Sequence, residues 1–189
     1  MQKAGGQFTS TSAAVGNDIA TLPDFPAETR APAGTVAGVS AFQINFADSD
    51  IHTPGDQVNA LIAMNPAAFK AHIDDVETGG IVVVNEDEFH KVNLRKAGYS
   101  TGYNPLDDEK HSQKYKIYRV PITRLNEQTL VDLDLGLGAK AIGQSRNMFA
   151  LGVVYWLYDR PMDVTIKFFN EYYGKIKNLP KVVEANTTA

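Results

Sequence analysis

The sequence predicts an α/β fold built on a mixed, mostly parallel sheet with flanking helices. Val58 to Met64 and Ile81 to Val84 are almost continuously apolar, which is typical of strands that are buried on both faces. Asn65-Pro66 offers a helix N-cap with proline at the first helical position, and Gly79-Gly80 is predicted to close that helix. Two buried strands joined by a helix form a βαβ unit, whose strands lie parallel.

Two further strands are predicted on either side of this unit. Phe42, Ile44 and Phe46 alternate with polar residues, which indicates an antiparallel or edge strand with one buried face. Tyr115 to Ile122 has the composition of another strand, and its Pro121 marks the strand end. The polar stretch from Tyr99 to Gln113 is predicted to be a loop.

Beyond Leu125 the pattern becomes helical. Ser145 is predicted to cap a helix through Tyr158 that is apolar almost all round and therefore buried. Gly152 is expected to let a neighbouring backbone approach this helix closely. A second helix is predicted from Asp163 to Ile176.

The composition of the chain limits the number of domains and the kinds of ligand and bond that it can have. A length of 189 residues with 43% hydrophobic residues predicts one domain, residues 1–189. A formal net charge of −4 gives no basic face for nucleic acid. The absence of cysteine excludes disulfides, thiolate metal sites and iron–sulfur ligation within this sequence. The longest apolar run, Phe149 to Tyr158, is about half a membrane span, so a cytoplasmic location without membrane contact is expected.

Several motif-like patterns lack the context that their chemistry needs. Gly98-Tyr99-Ser100-Thr101-Gly102 matches the hydrolase nucleophile elbow, but no strand precedes it and a loop follows, so a turn is predicted. Gly136-Leu137-Gly138 lacks the third glycine of a dinucleotide fingerprint. The four histidines lie about twenty residues apart without ligand spacing, and no metal site is predicted.

Two positions are candidates for binding an anionic ligand. Asn65 is predicted at the carboxyl end of a parallel strand, where α/β sheets bind ligands, and it is either a cap alone or a cap that also contacts a ligand. Arg30 lies in a loop stiffened by three prolines, with the Thr35 hydroxyl nearby. A fixed guanidinium binds phosphate or carboxylate in a bidentate fashion, although a salt bridge to Glu28 or Asp24 is the alternative.

A long stretch of the chain resembles a known family. Residues 22–35, which read LPDFPAETRAPAGT, are similar to a segment of the alpha subunit of bacterial 2-oxoglutarate:ferredoxin oxidoreductases. The similarity continues at GVS (38–40), FQ (42–43), TPGD (53–56), AMNPAA (63–68) and NMFALG (147–152), so it covers nearly the whole chain. In that family of 2-oxoacid:acceptor oxidoreductases, this region is the Rossmann-like gamma domain, the N-terminal part of the alpha subunit or a separate subunit.

The resemblance implies a function that depends on partners. Related enzymes use the gamma domain to hold coenzyme A (CoA) during oxidative decarboxylation of a 2-oxoacid to an acyl-CoA. On this basis Arg30, Thr35, Asn65 and Asn147 are predicted to bind CoA as a substrate, with no catalytic residue or metal in this chain. Thiamine diphosphate and iron–sulfur clusters are implied on partner subunits or domains, with ferredoxin reached through the complex. The isolated chain is predicted to be inactive, and the alternative is an assembly subunit without a ligand of its own.

The beginning of the chain departs from the family pattern. Family members carry a strand and a glycine-rich turn ahead of the helix that here starts near Gly5, and both are expected to be missing. A missing strand leaves a sheet position unpaired, and bare sheet edges recruit other chains, so an oligomer or an unstable chain is expected. The chain is therefore expected to be a separate subunit or a fragment of a longer protein.

Overall fold

A computed structural model describes residues 2–24, 39–133, 136, 138–174 and 180–189. The chain divides into two compact units. We call the first the helical unit (Met1–Pro23, Phe42–Pro54 and Ile122–Ala189) and the second the sheet unit (Asp24–Ala41 and Gly55–Pro121). Among the described helices, none is both long and apolar enough to cross a bilayer.

The sheet unit alternates strands with short helices, as predicted for an α/β fold. Its elements are β3 (Val58–Ala63), α2 (Pro66–His72), β4 (Val76–Asn85), α3 (Lys91–Lys96), α4 (Glu109–Lys114) and β5 (Lys116–Val120). The strands form a parallel sheet in the order β3-β4-β5. The predicted βαβ unit and the predicted third strand are therefore confirmed, while the stretch predicted to be a loop contains α4.

The core of the sheet unit joins the central strand to the helices beside it. Val82 and Val84 of β4 are fully buried and pack with Phe69 of α2 and Leu94 of α3. Phe69 meets Phe89 edge to face at a centroid distance of 5.9 Å. β4 is the central strand, and Val82, Val83 and Val84 are all buried, so side chains on both of its faces are covered, as expected for a near-continuous apolar run in a parallel sheet.

The prediction that Gly79-Gly80 closes α2 is wrong. The helix ends at His72, and both glycines lie inside β4. Val58 pairs with Val76 and Ala60 with Ile81, so four residues of β4 stand opposite one residue of β3. Gly79 has φ +83°, and a Cβ on Gly80 would lie 2.6 Å from Val76 Cγ1. The glycines are required by this bulge and not by a helix terminus.

The helical unit contains two strands and five helices among its described residues. They are α1 (Gln2–Ala14), β1 (Asp18–Asp24), β2 (Ala41–Ala47), α5 (Ile122–Asp132), α6 (Ala139–Leu157), α7 (Asp163–Gly174) and α8 (Pro180–Thr188). β1 pairs with β2, which confirms the strand predicted from apolar residues that alternate with polar ones.

An aromatic cluster forms the core of this unit. Phe8 of α1 contacts Phe46 of β2 edge to face at 5.2 Å and stacks on Tyr155 of α6 at 5.8 Å. The Tyr155 hydroxyl is buried and lies 3.0 Å from Thr11 Oγ1 and 2.5 Å from Thr165 Oγ1. Burial raises the pKa of Tyr155 above its ordinary value. This hydroxyl therefore ties α1, α6 and α7 together in its neutral form.

Three predictions about α6 are wrong. The helix begins at Ala139, so Ser145 does not cap it but lies buried within it. The helix is not buried all round, because Trp156 is 82% exposed. A Cβ on Gly152 would meet nothing within 4 Å, so the close approach expected there is absent.

The close approach of backbone and side chain occurs instead at Gly5. A Cβ at this position would lie 2.5 Å from Cγ and Cδ1 of Phe42 on β2, whereas a Cβ on neighbouring Gly6 would meet nothing. Both glycines lie inside α1, which begins at Gln2, three residues before the predicted start near Gly5. Gly5, and not Gly6, is therefore required by the packing of α1 on β2.

This pair of glycines gives a matched test of the packing. Gly5→Ala and Gly6→Ala share the same gain in helix propensity, about 1 kcal/mol. Only Gly5→Ala overpacks the interface, and we expect it to be less stable than Gly6→Ala by roughly 1–3 kcal/mol. Urea unfolding of both variants measures the difference. Equal stabilities would contradict the packing of α1 against Phe42.

Candidate functional site

Asn65 stands where the sequence predicted it. It follows the end of β3 at the carboxyl edge of the parallel sheet and is exposed. Its side-chain oxygen accepts a hydrogen bond of 2.9 Å from the backbone nitrogen of Ala68, and Pro66 occupies the start of α2. The predicted cap is confirmed. The remaining amide group carries two N–H donors, which suit a carbonyl or phosphate oxygen of a ligand.

The neighbouring strands bring other polar groups to the same edge. Ala63 pairs with Val84, so Asn65 and Glu86 each lie two residues beyond this pair. Asn85 ends β4 with its side chain fully buried, and Glu86 to Glu88 form a short acidic 3₁₀ turn. Arg119 of β5 binds the backbone oxygen of Leu106 and, at 2.9 Å, the carboxylate of Asp107.

These charges determine which chemical groups of a ligand can bind at the carboxyl edge of the sheet. The acidic turn repels phosphate, and Arg119 on the neighbouring strand is engaged by the carboxylate of Asp107 at a surface position. Amide side chains and backbone groups, by contrast, pair well with neutral amides. The sheet edge therefore fits a neutral, amide-bearing group of a ligand better than a phosphate.

Asn147 lies in the other unit, on α6 of the helical unit, and is half-buried. It stands between Arg146 and the buried Met148. Arg146 donates from Nε to the Gly143 backbone oxygen at 3.0 Å and approaches Thr123 of α5. Two of the predicted site residues thus belong to separate compact units, while Arg30 and Thr35 lie outside the described residues.

A polar clamp that the sequence analysis missed fixes the loop at residues 51–54. Asn45 and Gln43 of β2 donate to the backbone oxygens of Thr53 and Pro54 at 3.1 and 3.0 Å. Asp18 accepts from the Ile51 backbone nitrogen at 2.7 Å, and this bond with a second one from Ile19 holds the pKa of Asp18 below its ordinary value. The polar residues that alternate with aromatic ones along β2 were the available signal.

The segment from Gly98 to Gly102 is a turn, as predicted. Both glycines have positive φ, +74° and +85°, and Ser100 is exposed with no helix after it. Burial raises the pKa of Tyr99 to about 12. Neither a hydrolase elbow nor, within the described residues, a group of three potential metal ligands is present.

The capping role of Asn65 can be measured separately from any binding role. Asn65→Ala removes the acceptor for the Ala68 nitrogen, and we expect a loss of about 1 kcal/mol in the free energy of unfolding. Asn65→Ser keeps an N-cap oxygen and should remain within a few tenths of a kcal/mol of the original chain. Denaturant unfolding of both variants tests this, and equal losses would contradict the cap.

Comparisons with known proteins agree with this architecture. Residues 1–189 match the pyruvate ferredoxin/flavodoxin oxidoreductase family. The chain is 48% identical over 190 aligned residues to the 2-oxoglutarate oxidoreductase subunit KorA of Mycobacterium tuberculosis. That alignment covers 100% of this chain but only 28% of the relative.

Solved structures share the fold at low sequence identity. A 2-oxoglutarate:ferredoxin oxidoreductase of Magnetococcus marinus, solved with 2-oxoglutarate, coenzyme A and succinyl-CoA, superposes with a TM-score of 0.68 at 19% identity. The match covers 98% of this chain and 27% of that one. The gamma subunit of a keto/oxoacid ferredoxin oxidoreductase of Geobacter sulfurreducens gives 0.55 at 15% identity, covering 98% of this chain and 86% of that one.

A third solved chain, the pyruvate oxidoreductase subunit PORC of Thermotoga maritima, gives a TM-score of 0.54 at 14% identity and covers 98% of this chain and 83% of that one. These structures confirm the predicted α/β class, and the family match over the full length confirms the resemblance found in the sequence. The chain belongs to the pyruvate ferredoxin/flavodoxin oxidoreductase family.

Proposed function

We propose that this chain is the CoA-holding, gamma-type part of a 2-oxoglutarate:ferredoxin oxidoreductase. The observation that carries the proposal is 48% identity, over the whole chain, to a 2-oxoglutarate oxidoreductase subunit. The solved relative with the highest TM-score given above contains 2-oxoglutarate, coenzyme A and succinyl-CoA, which are a substrate pair and the product of oxidative decarboxylation.

In the proposed reaction 2-oxoglutarate loses carbon dioxide, its remaining acyl carbon is oxidised, and the CoA sulfur takes the acyl group. Two electrons pass to ferredoxin. Thiamine chemistry and electron transfer would reside on thiamine-diphosphate-binding subunits or domains with iron–sulfur clusters. The present sequence contains no cysteine to ligate such a cluster. Its contribution would be to bind and orient CoA.

Different parts of CoA would meet different groups of the chain. Arg30 with Thr35 would bind a phosphate, because a guanidinium forms paired, charge-assisted hydrogen bonds with phosphate oxygens. Asn65 and its amide-rich sheet edge would meet the neutral pantetheine amides, since the acidic turn at residues 86–88 disfavours phosphate there. Asn147 is proposed as a further contact from α6.

Calorimetric titration with CoA and, separately, with NAD tests the proposed ligand. We expect the assembled enzyme to bind CoA with a stoichiometry of one per copy of this chain, and not to bind NAD, because no dinucleotide fingerprint is present. Assembly with its partners but no CoA binding would favour a purely structural subunit. Binding of NAD instead would point to a free-standing nucleotide-binding protein.

A further inference from the structure

A turn in the sheet unit carries two tyrosines whose rings pack on one another. Tyr99 and Tyr103 flank the turn residues 100–102, and their ring centroids are 5.8 Å apart with an angle of 35° between the ring planes. Tyr99 is half-buried and packs against the core of the sheet unit, whereas Tyr103 is 38% exposed. We call these two residues the tyrosine pair. One ring of the pair is therefore anchored in the core, and the other reaches solvent.

Lys70 of α2 holds the anchored end of this turn. Its ammonium group donates to the backbone oxygens of Ala97 and Gly98 at 3.1 and 3.0 Å. The same group lies 5.0 Å from the centroid of the Tyr99 ring, which is a cation–π distance. Gly98 and Gly102 have positive φ, a conformation that glycine adopts without strain. The turn is therefore held by contacts within the sheet unit.

Asp108 fixes the exposed end of the turn. The Tyr103 hydroxyl donates to the Asp108 carboxylate at 2.7 Å, and the Lys110 backbone nitrogen donates to the same carboxylate at 2.9 Å. These two bonds, the bond from tyrosine first, hold the pKa of Asp108 below its ordinary value, so the carboxylate is ionised at neutral pH. Because its hydroxyl is already bonded, Tyr103 offers a ligand its aromatic ring.

A fixed and exposed aromatic ring suits a planar ligand. Nucleobases stack on aromatic side chains, and this stacking does not depend on particular hydrogen bonds. The residues exposed between the two rings, Ser100 and Thr101, are small and polar, whereas the centre of a protein interface is apolar. The tyrosine pair therefore fits a nucleobase better than a protein surface.

The charged residues on either side of the turn match the groups of an adenine nucleotide. Arg95 and Lys96, in the last turn of α3, are exposed and form no salt bridge within the part of the chain that the structure describes. Their charge attracts phosphate. The Asp108 carboxylate, which follows the turn in the sequence, can accept a hydrogen bond from the amino group of adenine.

The tyrosine pair lies within reach of the sheet edge at Asn65. Lys70, whose ammonium group lies over the Tyr99 ring, follows Asn65 by five residues, and five residues of helix rise about 7.5 Å. All of these residues belong to the sheet unit. One extended ligand can therefore place an amide chain at Asn65 and a base at the tyrosine pair.

We infer that the tyrosine pair is a stacking platform for the adenine of CoA, with the base lying on the Tyr103 ring. This inference rests on the proposed function, because CoA is the adenine nucleotide that the proposed reaction consumes. A free adenine nucleotide carries the same base and phosphate groups. ADP should therefore compete with CoA for the platform.

Calorimetric titration of the assembled enzyme with CoA tests the platform. Tyr103→Leu removes the ring and should weaken CoA binding about tenfold, the scale of one stacked base. Tyr103→Phe keeps the ring without the hydroxyl and should bind within about threefold of the original chain. Tyr118→Leu is the matched control, because Tyr118 is 54% exposed on β5 of the same unit but outside the turn. That variant should change CoA binding by less than about twofold.

A shortened ligand separates stacking from an effect on the fold. Phosphopantetheine lacks the adenosine part of CoA, so Tyr103→Leu should bind it as the original chain does. Saturation-transfer NMR adds a direct signal from the base. The two ring protons of adenine in CoA should receive saturation from the original chain and from Tyr103→Phe, and much less from Tyr103→Leu.

The possible contrary results separate the platform from the proposed function. If Tyr103→Leu binds CoA as the original chain does, the inference is wrong and the proposed function remains. Equal weakening for CoA and phosphopantetheine would show that Tyr103 acts on the fold of the turn, and loss of assembly would make it a partner contact. ADP binding that depends on Tyr103, without CoA binding, would keep the platform and contradict the proposed function. Binding of neither ligand would remove both.

Discussion

Asn126→Ala is expected to lower the free energy of unfolding by about 2–4 kcal/mol. Asn126 is fully buried on α5, and its amide nitrogen donates to the Ile142 backbone oxygen of α6 at 3.0 Å. Its side-chain oxygen lies 3.0 Å from the buried Ser145 hydroxyl. Truncation leaves a cavity and removes two polar contacts that cannot be replaced by water in a closed core.

Gln128→Ala is the control for this prediction. Gln128 is exposed on the same helix, and its truncation should change stability by less than about 0.5 kcal/mol. Urea unfolding monitored by circular dichroism compares the two variants. A loss below about 1 kcal/mol for Asn126→Ala would show that the contact between α5 and α6 does not depend on this buried amide.

Arg30→Ala is expected to weaken CoA binding in the assembled enzyme by about 1.5–3 kcal/mol, which is roughly tenfold or more. A planar guanidinium binds phosphate through paired hydrogen bonds, so Arg30→Lys should restore the charge but only part of the affinity. The apparent constant for the 2-oxoacid should not change, because only one substrate loses ground-state binding.

Steady-state kinetics with CoA and the 2-oxoacid varied in turn separate these effects. An unchanged CoA constant with a shifted 2-oxoacid constant would place Arg30 at the interface with the partner subunits. The chain would then be an assembly subunit and not the part that holds CoA.

The sheet unit was predictable because its signals are local. Apolar runs on both strands and the Asn65-Pro66 pair together define β3, α2 and β4, and each signal lies within one element. Gly79-Gly80 was wrongly predicted to end a helix because glycine is common both at helix ends and in strand bulges. Only the partner strand, through its register, shows which role applies.

Tertiary contacts explain what the sequence could not show in the helical unit. Ser145 is a good cap by propensity, yet it lies buried inside α6 because Asn126 of α5 meets its hydroxyl there. Gly5 is needed because Phe42 lies against it, thirty-seven residues later in the chain. The cap at Asn65 was predictable from the Asn-Pro pair. The polar residues of β2 were the available signal for the clamp at residues 51–54, but nothing in the sequence marks the bond between Asp18 and the Ile51 backbone nitrogen.

Acceptor reduction by the assembled enzyme measures whether this chain serves a CoA-dependent oxidation of 2-oxoglutarate. We expect a complex containing this chain to reduce ferredoxin, or a dye in its place, only when both 2-oxoglutarate and CoA are present, and to form succinyl-CoA in step with the electrons delivered. Reduction that proceeds equally well without CoA would contradict the proposed role of this chain, and a preference for pyruvate over 2-oxoglutarate would contradict the proposed substrate.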